Sequence, residues 1–129
     1  MTENMLIIQE TGQSISFDGG LFDGDPKFLA EIVNLFLATY PDLLSEIDRA
    51  VLRHDAEALR RAAHTMKGAV ANFGARQIVE QAKAIETIGQ SGELEPAESA
   101  VRSLHALMEH FVPELQAAVE KTGEKQVST

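Results

Sequence analysis

The stretch AAHTMKGAVANFGA, residues 62–75, sets His64, Lys67 and Gly68 within five positions of one another. A neutral imidazole nitrogen is a nucleophile, an ammonium group offsets arriving negative charge, and a glycine leaves space beside both. The chemistry that such a trio suits is covalent acceptance of a phosphoryl group on the ring. Taken singly, each residue has a plainer reading: an inert surface histidine, a solvated charge, a tolerated glycine. Solvation explains the charges but not the glycine, which costs a helix interior roughly 0.5–1 kcal/mol relative to alanine.

The chain around this trio has a helical period. From DPKFLAEIVNLFLATYPDLLSEIDRAVLR onward, Phe28, Leu29, Ile32, Val33, Phe36, Leu37, Tyr40, Leu43, Leu44, Ile47 and Val51 recur at spacings of three and four. Asp25 suits an N-cap and Pro26 a first helical position. Because the stripe keeps its phase across Pro41, that proline predicts a kink in one helix of about 28 residues, ending near Arg53. His54 and Asp55 form a short connection, with Asp55 capping a second helix through AEALRRAAHTMKGAVANF. Gly74 supplies its left-handed stop. A third helix through ARQIVEQAKAIETIGQ carries Ile78, Ala82, Ile85 and Ile88, and SGELEP makes the next turn. A fourth, from Ala97 to Lys121, carries Val101, Leu104, Met108, Phe111, Leu115 and Val119, with Pro113 as a second irregularity.

These elements predict an all-α domain, an antiparallel up-down-up-down four-helix bundle over residues 25–121. Residues 1–24 read as a short, partly ordered N-terminal leader with a helical turn near Gly20 to Phe22. Residues 122–129 read as a frayed polar tail. On the wheel of the second helix, Leu59, Ala62, Ala63, Met66, Val70 and Phe73 form the buried stripe. His64 points roughly 150° away from its centre, hence outward. Gly68 lies one turn further along the same exposed strip, so its bare Cα faces an approaching partner and not the core. Arg60 lies a turn before His64, and Lys67 a turn after it on the flank.

Composition narrows the function. With 20 acidic against 11 basic residues the net charge is −9, which repels phosphate backbones and anionic membranes. Nucleic acid and membrane are not the expected partners. The chain contains no cysteine, which removes disulfide and thiolate chemistry. No apolar run is expected to reach the roughly 20 residues that span a bilayer, and the start MTENMLIIQE lacks a signal-peptide pattern. A cytoplasmic location is expected.

The segment AHTMKGAVANFGA closely resembles the signature of the histidine-containing phosphotransfer (HPt) domain family: histidine, Ser or Thr, an aliphatic residue, Lys, Gly, then small residues and an apolar-Gly-Ala turn. The preceding LFLATYPDLLSEIDRAVLRHDAEALRRAAH, proline included, is similar to that family's preceding helix. The resemblance covers about residues 22–120. It implies a relay in two-component signal transduction, in which phosphate passes between aspartates of response-regulator receiver domains, or arrives from a histidine kinase, by way of a phosphohistidine. By the same resemblance His64 is phosphorylated at Nε2, Lys67 meets the phosphoryl group, Gly68 keeps room for it, and Glu86 hydrogen-bonds the imidazole from the next helix. The wheel puts Glu86 roughly 80° from its own stripe centre, within reach of His64.

Docking is then expected through a small patch of Gly68, Ala71 and Ala75, flanked by Arg60, Arg61 and Lys67. No glycine-rich nucleotide loop and no acidic Mg²⁺ cluster occurs in the sequence, so the implied role is a phosphocarrier and not a standalone enzyme. No cofactor or bound metal is expected, and Mg²⁺ belongs to the partner receiver. The expected contacts are transient ones to receivers or a kinase, made by a monomer. Three other readings compete. A helical metal protein lacks ligand spacing, since His105 and His110 do not share a face. A kinase dimerisation helix would follow its histidine with an acidic residue, where Thr65 stands. The remaining one is a degenerate bundle that docks a partner without being phosphorylated.

Overall fold

The structure, a computed structural model, describes residues 26–127, with side chains over residues 27–120. The leader expected over residues 1–24, with its turn near Gly20, lies outside the described residues. Four helices follow in order: α1 Pro26–Leu52, α2 Ala56–Ala71, α3 Arg76–Ser91 and α4 Ala97–Val127. No strand occurs among the described residues.

Each boundary has a local cause. Pro26 opens α1, where a missing N–H leaves nothing unpaired, and the helix runs on through Pro41. His54 closes it in the left-handed region, at φ 55°, while the Asp55 N–H donates to Ala50 O at 2.9 Å. Histidine is among the few non-glycine types that enter this region with some frequency. Asp55 then caps α2, its Oδ1 accepting the Ala58 N–H at 3.1 Å. Gly74 and Gly92, at φ 66° and 79°, turn the chain after α2 and α3.

At the far end, α4 continues to Val127 instead of ending near Lys121 as its apolar stripe predicts. Extending an existing helix adds one hydrogen bond per residue fixed, and Glu124, Lys125 and Gln126 favour it while Gly123 opposes it. A stripe marks what packs, whereas propagation needs no packing.

The helices close a ring in which α1 packs on α2 and α4, and α3 packs on α2 and α4. Cross-helix pairs give the directions. Phe36 meets Phe111 while Asp48 meets His105, so α1 and α4 are antiparallel. His64 meets Glu86 while the backbone of Arg60 meets Gly89, so α2 and α3 are antiparallel as well. The core holds Val33, Phe36, Ile47, Leu59, Met66, Val70, Ile85, Leu104, Met108 and Leu115, all buried. Phe36, Phe73 and Phe111 meet edge to face at centroid distances of 5.3–6.0 Å. That geometry suits the aromatic quadrupole and adds to the area buried.

One expectation is corrected here. By length and composition, Lys27–Leu52 of α1 would reach across a bilayer, with a mean hydropathy of 1.2. Its apolar residues are nonetheless in helical phase, with Val33, Phe36, Leu44 and Ile47 turned into the bundle and Glu31, Asp42, Glu46 and Arg49 turned out. A helix that forms one wall of a core has the same average composition as a weakly apolar span.

Candidate functional site

The outer edge of the α2–α3 pair gathers the chemistry. His64, whose side chain is 62% exposed, directs Nδ1 to Oε2 of Glu86 at 2.9 Å, across 22 residues of sequence. The other carboxylate oxygen, Oε1, lies 2.8 Å from Lys67 Nζ. The approach there is off hydrogen-bond geometry, so the contact acts as a charge pair. One carboxylate thus bridges the imidazole and the ammonium group. The side chain of Glu86 is only 17% exposed, and that of Lys67 27%. Lys67 holds the Glu86 carboxyl below its ordinary value, against the opposing effect of burial and with a smaller contribution from His64.

With Nδ1 engaged, ring nitrogen Nε2 faces away from Glu86, and no described residue pairs with it. Beside it, a Cβ built on Gly68 would meet nothing within 4 Å. The space that glycine leaves is open solvent and not a helix contact. Ala71 is exposed one turn on. An outward nucleophilic nitrogen, a fixed tautomer and a bare approach suit attack on an electrophile presented by another molecule.

The expected docking patch is only partly assembled. Ala75 is fully buried, so it does not belong to the exposed strip. The wheel of α2 does not extend through Gly74, whose left-handed backbone resets the phase and places Ala75 at the start of α3. Arg60 and Arg61 flank His64 as expected but are both taken by Glu57. Arg60 donates to it from Nε at 3.1 Å and Nη2 at 2.6 Å, and Arg61 Nη1 stands 3.6 Å away. The Arg60 hydrogen bond holds the Glu57 carboxyl below its ordinary value.

Two residues of the site region escaped the sequence reading, though both left a signal. Glu57 stands three and four positions before Arg60 and Arg61, the spacing of helical ion pairs. Gly89 is in phase with Ala82 and Ile85, and it is buried. A Cβ there would stand 2.7 Å from Arg60 N and 2.8 Å from Ala56 O, so this glycine lets α3 lie against the backbone of α2.

Away from this edge, a concavity of about 800 Å³ lies between the end of α1 and the start of α4. It contains the contact between His105 Nε2 and Asp48 Oδ1, at 2.9 Å, and none of the residues around His64. Among the described residues no group of three or more His, Asp or Glu is arranged to hold a metal ion.

No curated protein and no solved structure matches the chain. A family model described as Hpt domain matches residues 31–121, a span that takes in all of α2 and α3 and most of α1 and α4. With its four helices, and a histidine exposed on the second of them, the chain belongs to the Hpt domain family.

Proposed function

We propose that this domain relays a phosphoryl group through His64, accepting it from the aspartyl phosphate of a response-regulator receiver, or from a histidine kinase, and returning it to a receiver aspartate. The observation that carries the reading is the pairing of Nδ1 with Glu86, which leaves Nε2 outward beside the open side of Gly68. Hpt domains are phosphocarrier modules of two-component signalling that interact with regulators and kinases, and the chain belongs to that family.

In the neutral ring, Nδ1 donates its proton to Glu86 and Nε2 keeps its lone pair. Attack by Nε2 forms the N–P bond as the P–O bond to the aspartate breaks, and the carboxylate leaves with the electron pair. Lys67 offsets the charge that arrives. The transferred group comes already activated from the partner, which also supplies Mg²⁺, so this chain contributes position and not activation.

Docking uses the strip of Gly68 and Ala71 with the cations Arg60, Arg61 and Lys67 at its edge. Leu35 extends it on α1. It lies three turns before Glu46, close to the same line of the helix, and Glu46 borders the α1–α2 groove together with Arg61 and Thr65. Leu35 is 61% exposed, an apolar rim of the kind transient interfaces bury. Contacts are brief, the domain acts as a monomer, and the setting is the cytoplasm.

The test is to incubate the chain with receiver domains charged by acetyl phosphate and to look for acid-labile, base-stable label, in parallel with His64→Gln. Label on the wild type and none on the variant is expected. Equal label on both, or none on the wild type from any receiver of its source organism, would leave only a docking module.

A further inference from the structure

Glu86 serves two partners whose claims on it change once His64 is phosphorylated. We propose that Lys67 changes partner during the relay: it pairs with Glu86 while His64 is free and moves to the phosphoryl group once His64 carries one, leaving Glu86 to hold the Nδ1 proton alone. The inference rests on the proposed relay at His64 and adds how one carboxylate serves both of its directions.

The geometry places the exchange within a single turn. Lys67 sits three residues after His64 on α2, and its Nζ is 2.8 Å from Oε1 of the carboxylate whose Oε2 is 2.9 Å from Nδ1. Its four-carbon stem turns on rotatable bonds, and the neighbouring Gly68 puts no side chain in the way. Of the other nearby cations, Arg60 is hydrogen-bonded to Glu57, and Arg61 stands 3.6 Å from the same carboxylate. A phosphoryl group brings nearly two negative charges at neutral pH against one for the carboxylate. Lys67 and Glu86 are each less than a third exposed, so the pair between them is only partly screened.

The exchange matters because each direction of transfer asks something different of the ring. Acceptance needs a neutral imidazole with its lone pair on Nε2. While Lys67 shares Glu86, the carboxylate divides its charge between the ammonium group and the ring. After transfer the ring carries phosphate on Nε2 and still holds the Nδ1 proton. For the return step, the N–P bond breaks and its electron pair goes back to Nε2. With Nδ1 protonated the leaving group is neutral imidazole; without that proton it is imidazolate, a far poorer one. Once Lys67 has moved, the full charge of Glu86 faces the Nδ1 proton and retains it. The charged groups acting on Glu86 are Lys67 and His64, with Arg60 at longer range. Glu86 is therefore a positioning residue, acting on the phosphoryl group through the ring.

The experiment uses the full chain, ¹⁵N-labelled on histidine and lysine, phosphorylated either by phosphoramidate or by a charged receiver. In the free protein, Glu86→Gln should shift the Lys67 ammonium ¹⁵N resonance, and in the phosphorylated protein it should leave that resonance in place. The phosphorylated wild type should keep its Nδ1 proton to about one pH unit higher than phosphorylated Glu86→Gln, a tenfold difference in proton affinity. Return to an uncharged receiver should slow about tenfold in the variant. If Glu86→Gln shifts the Lys67 resonance equally in both states, Lys67 never leaves Glu86 and the exchange is wrong. Loss of the Nδ1 proton at the same pH in both proteins would sink the role of Glu86. Label on His64 with either of these outcomes overturns this inference alone. Absence of label from both donors overturns the relay and this inference together.

Discussion

Gly89 on α3 rests against the backbone of Arg60 on α2, so closely that a Cβ at Gly89 would stand 2.7 Å from the Arg60 nitrogen. The opposing atoms are backbone and cannot rotate aside. Gly89→Ala should therefore destabilise the fold by about 1–3 kcal/mol, the usual cost of overpacking. Because the contact lies one turn from His64, forcing α2 and α3 apart should also lengthen the bond to Glu86. A fall in the urea midpoint together with a changed His64 tautomer ratio in ¹⁵N spectra is expected. An unchanged midpoint would show that the two helices separate without cost.

Gly68 gives the opposite result although it sits on the neighbouring helix. Nothing lies within 4 Å of the place a Cβ would take there, so Gly68→Gln should keep the fold and gain about 0.5–1 kcal/mol of helix stability. Label transfer from a charged receiver should fall by about tenfold, equivalent to 1.4 kcal/mol of lost docking. A raised melting temperature with unimpaired transfer would mean that the partner does not approach past this residue.

The contrast between these glycines shows what sequence carried and what it did not. The buried stripe of α2, Leu59 to Val70, was legible because a 3.6-residue period marks the face that packs. So was the outward direction of His64, and the Asp55 cap follows from a short acceptor before an apolar run. Ala75 was misplaced because a wheel holds only within one helix and Gly74 ends it. The depth of Gly89 depends on the distance between two helix axes, which no single-helix pattern encodes. The pairing of Arg60 and Arg61 with Glu57 was legible in spacing, but the bridging of Lys67 and His64 by one carboxylate needed the α2–α3 register.

Acid should weaken the fold partly through Glu86. Its carboxyl is held below the ordinary 4.5, chiefly by Lys67. A folded-state pKa below the unfolded one gives stability that is fully present above about 4.5 and is lost as pH falls through the lowered value. Glu86→Gln should remove that part of the pH dependence. Urea midpoints from neutral pH down to about 3 should therefore fall less steeply for the variant than for the wild type. Parallel curves would show that Lys67 and Glu86 contribute nothing to stability.

Glu114 should act with the opposite sign. It follows Pro113 on α4, and its Oε1 is buried with no hydrogen-bond partner among the described residues. Burial raises its carboxyl above the ordinary 4.5, with His110 opposing part of the effect. As pH rises past about 4.5, the unfolded chain gives up this proton first, so the unfolded state gains and stability declines until the folded carboxyl also ionises. Once it ionises, the folded protein carries a charge that its surroundings disfavour. Glu114→Met keeps the length of the side chain and its helix propensity while removing the charge. The variant should be more stable at neutral pH by about 0.5–2 kcal/mol, the range of common stabilising substitutions, with the gain shrinking towards pH 4. Urea unfolding of both proteins at the two pH values checks this. A variant that loses stability equally at both would show that Glu114 contributes through packing or a polar contact and not through a buried charge.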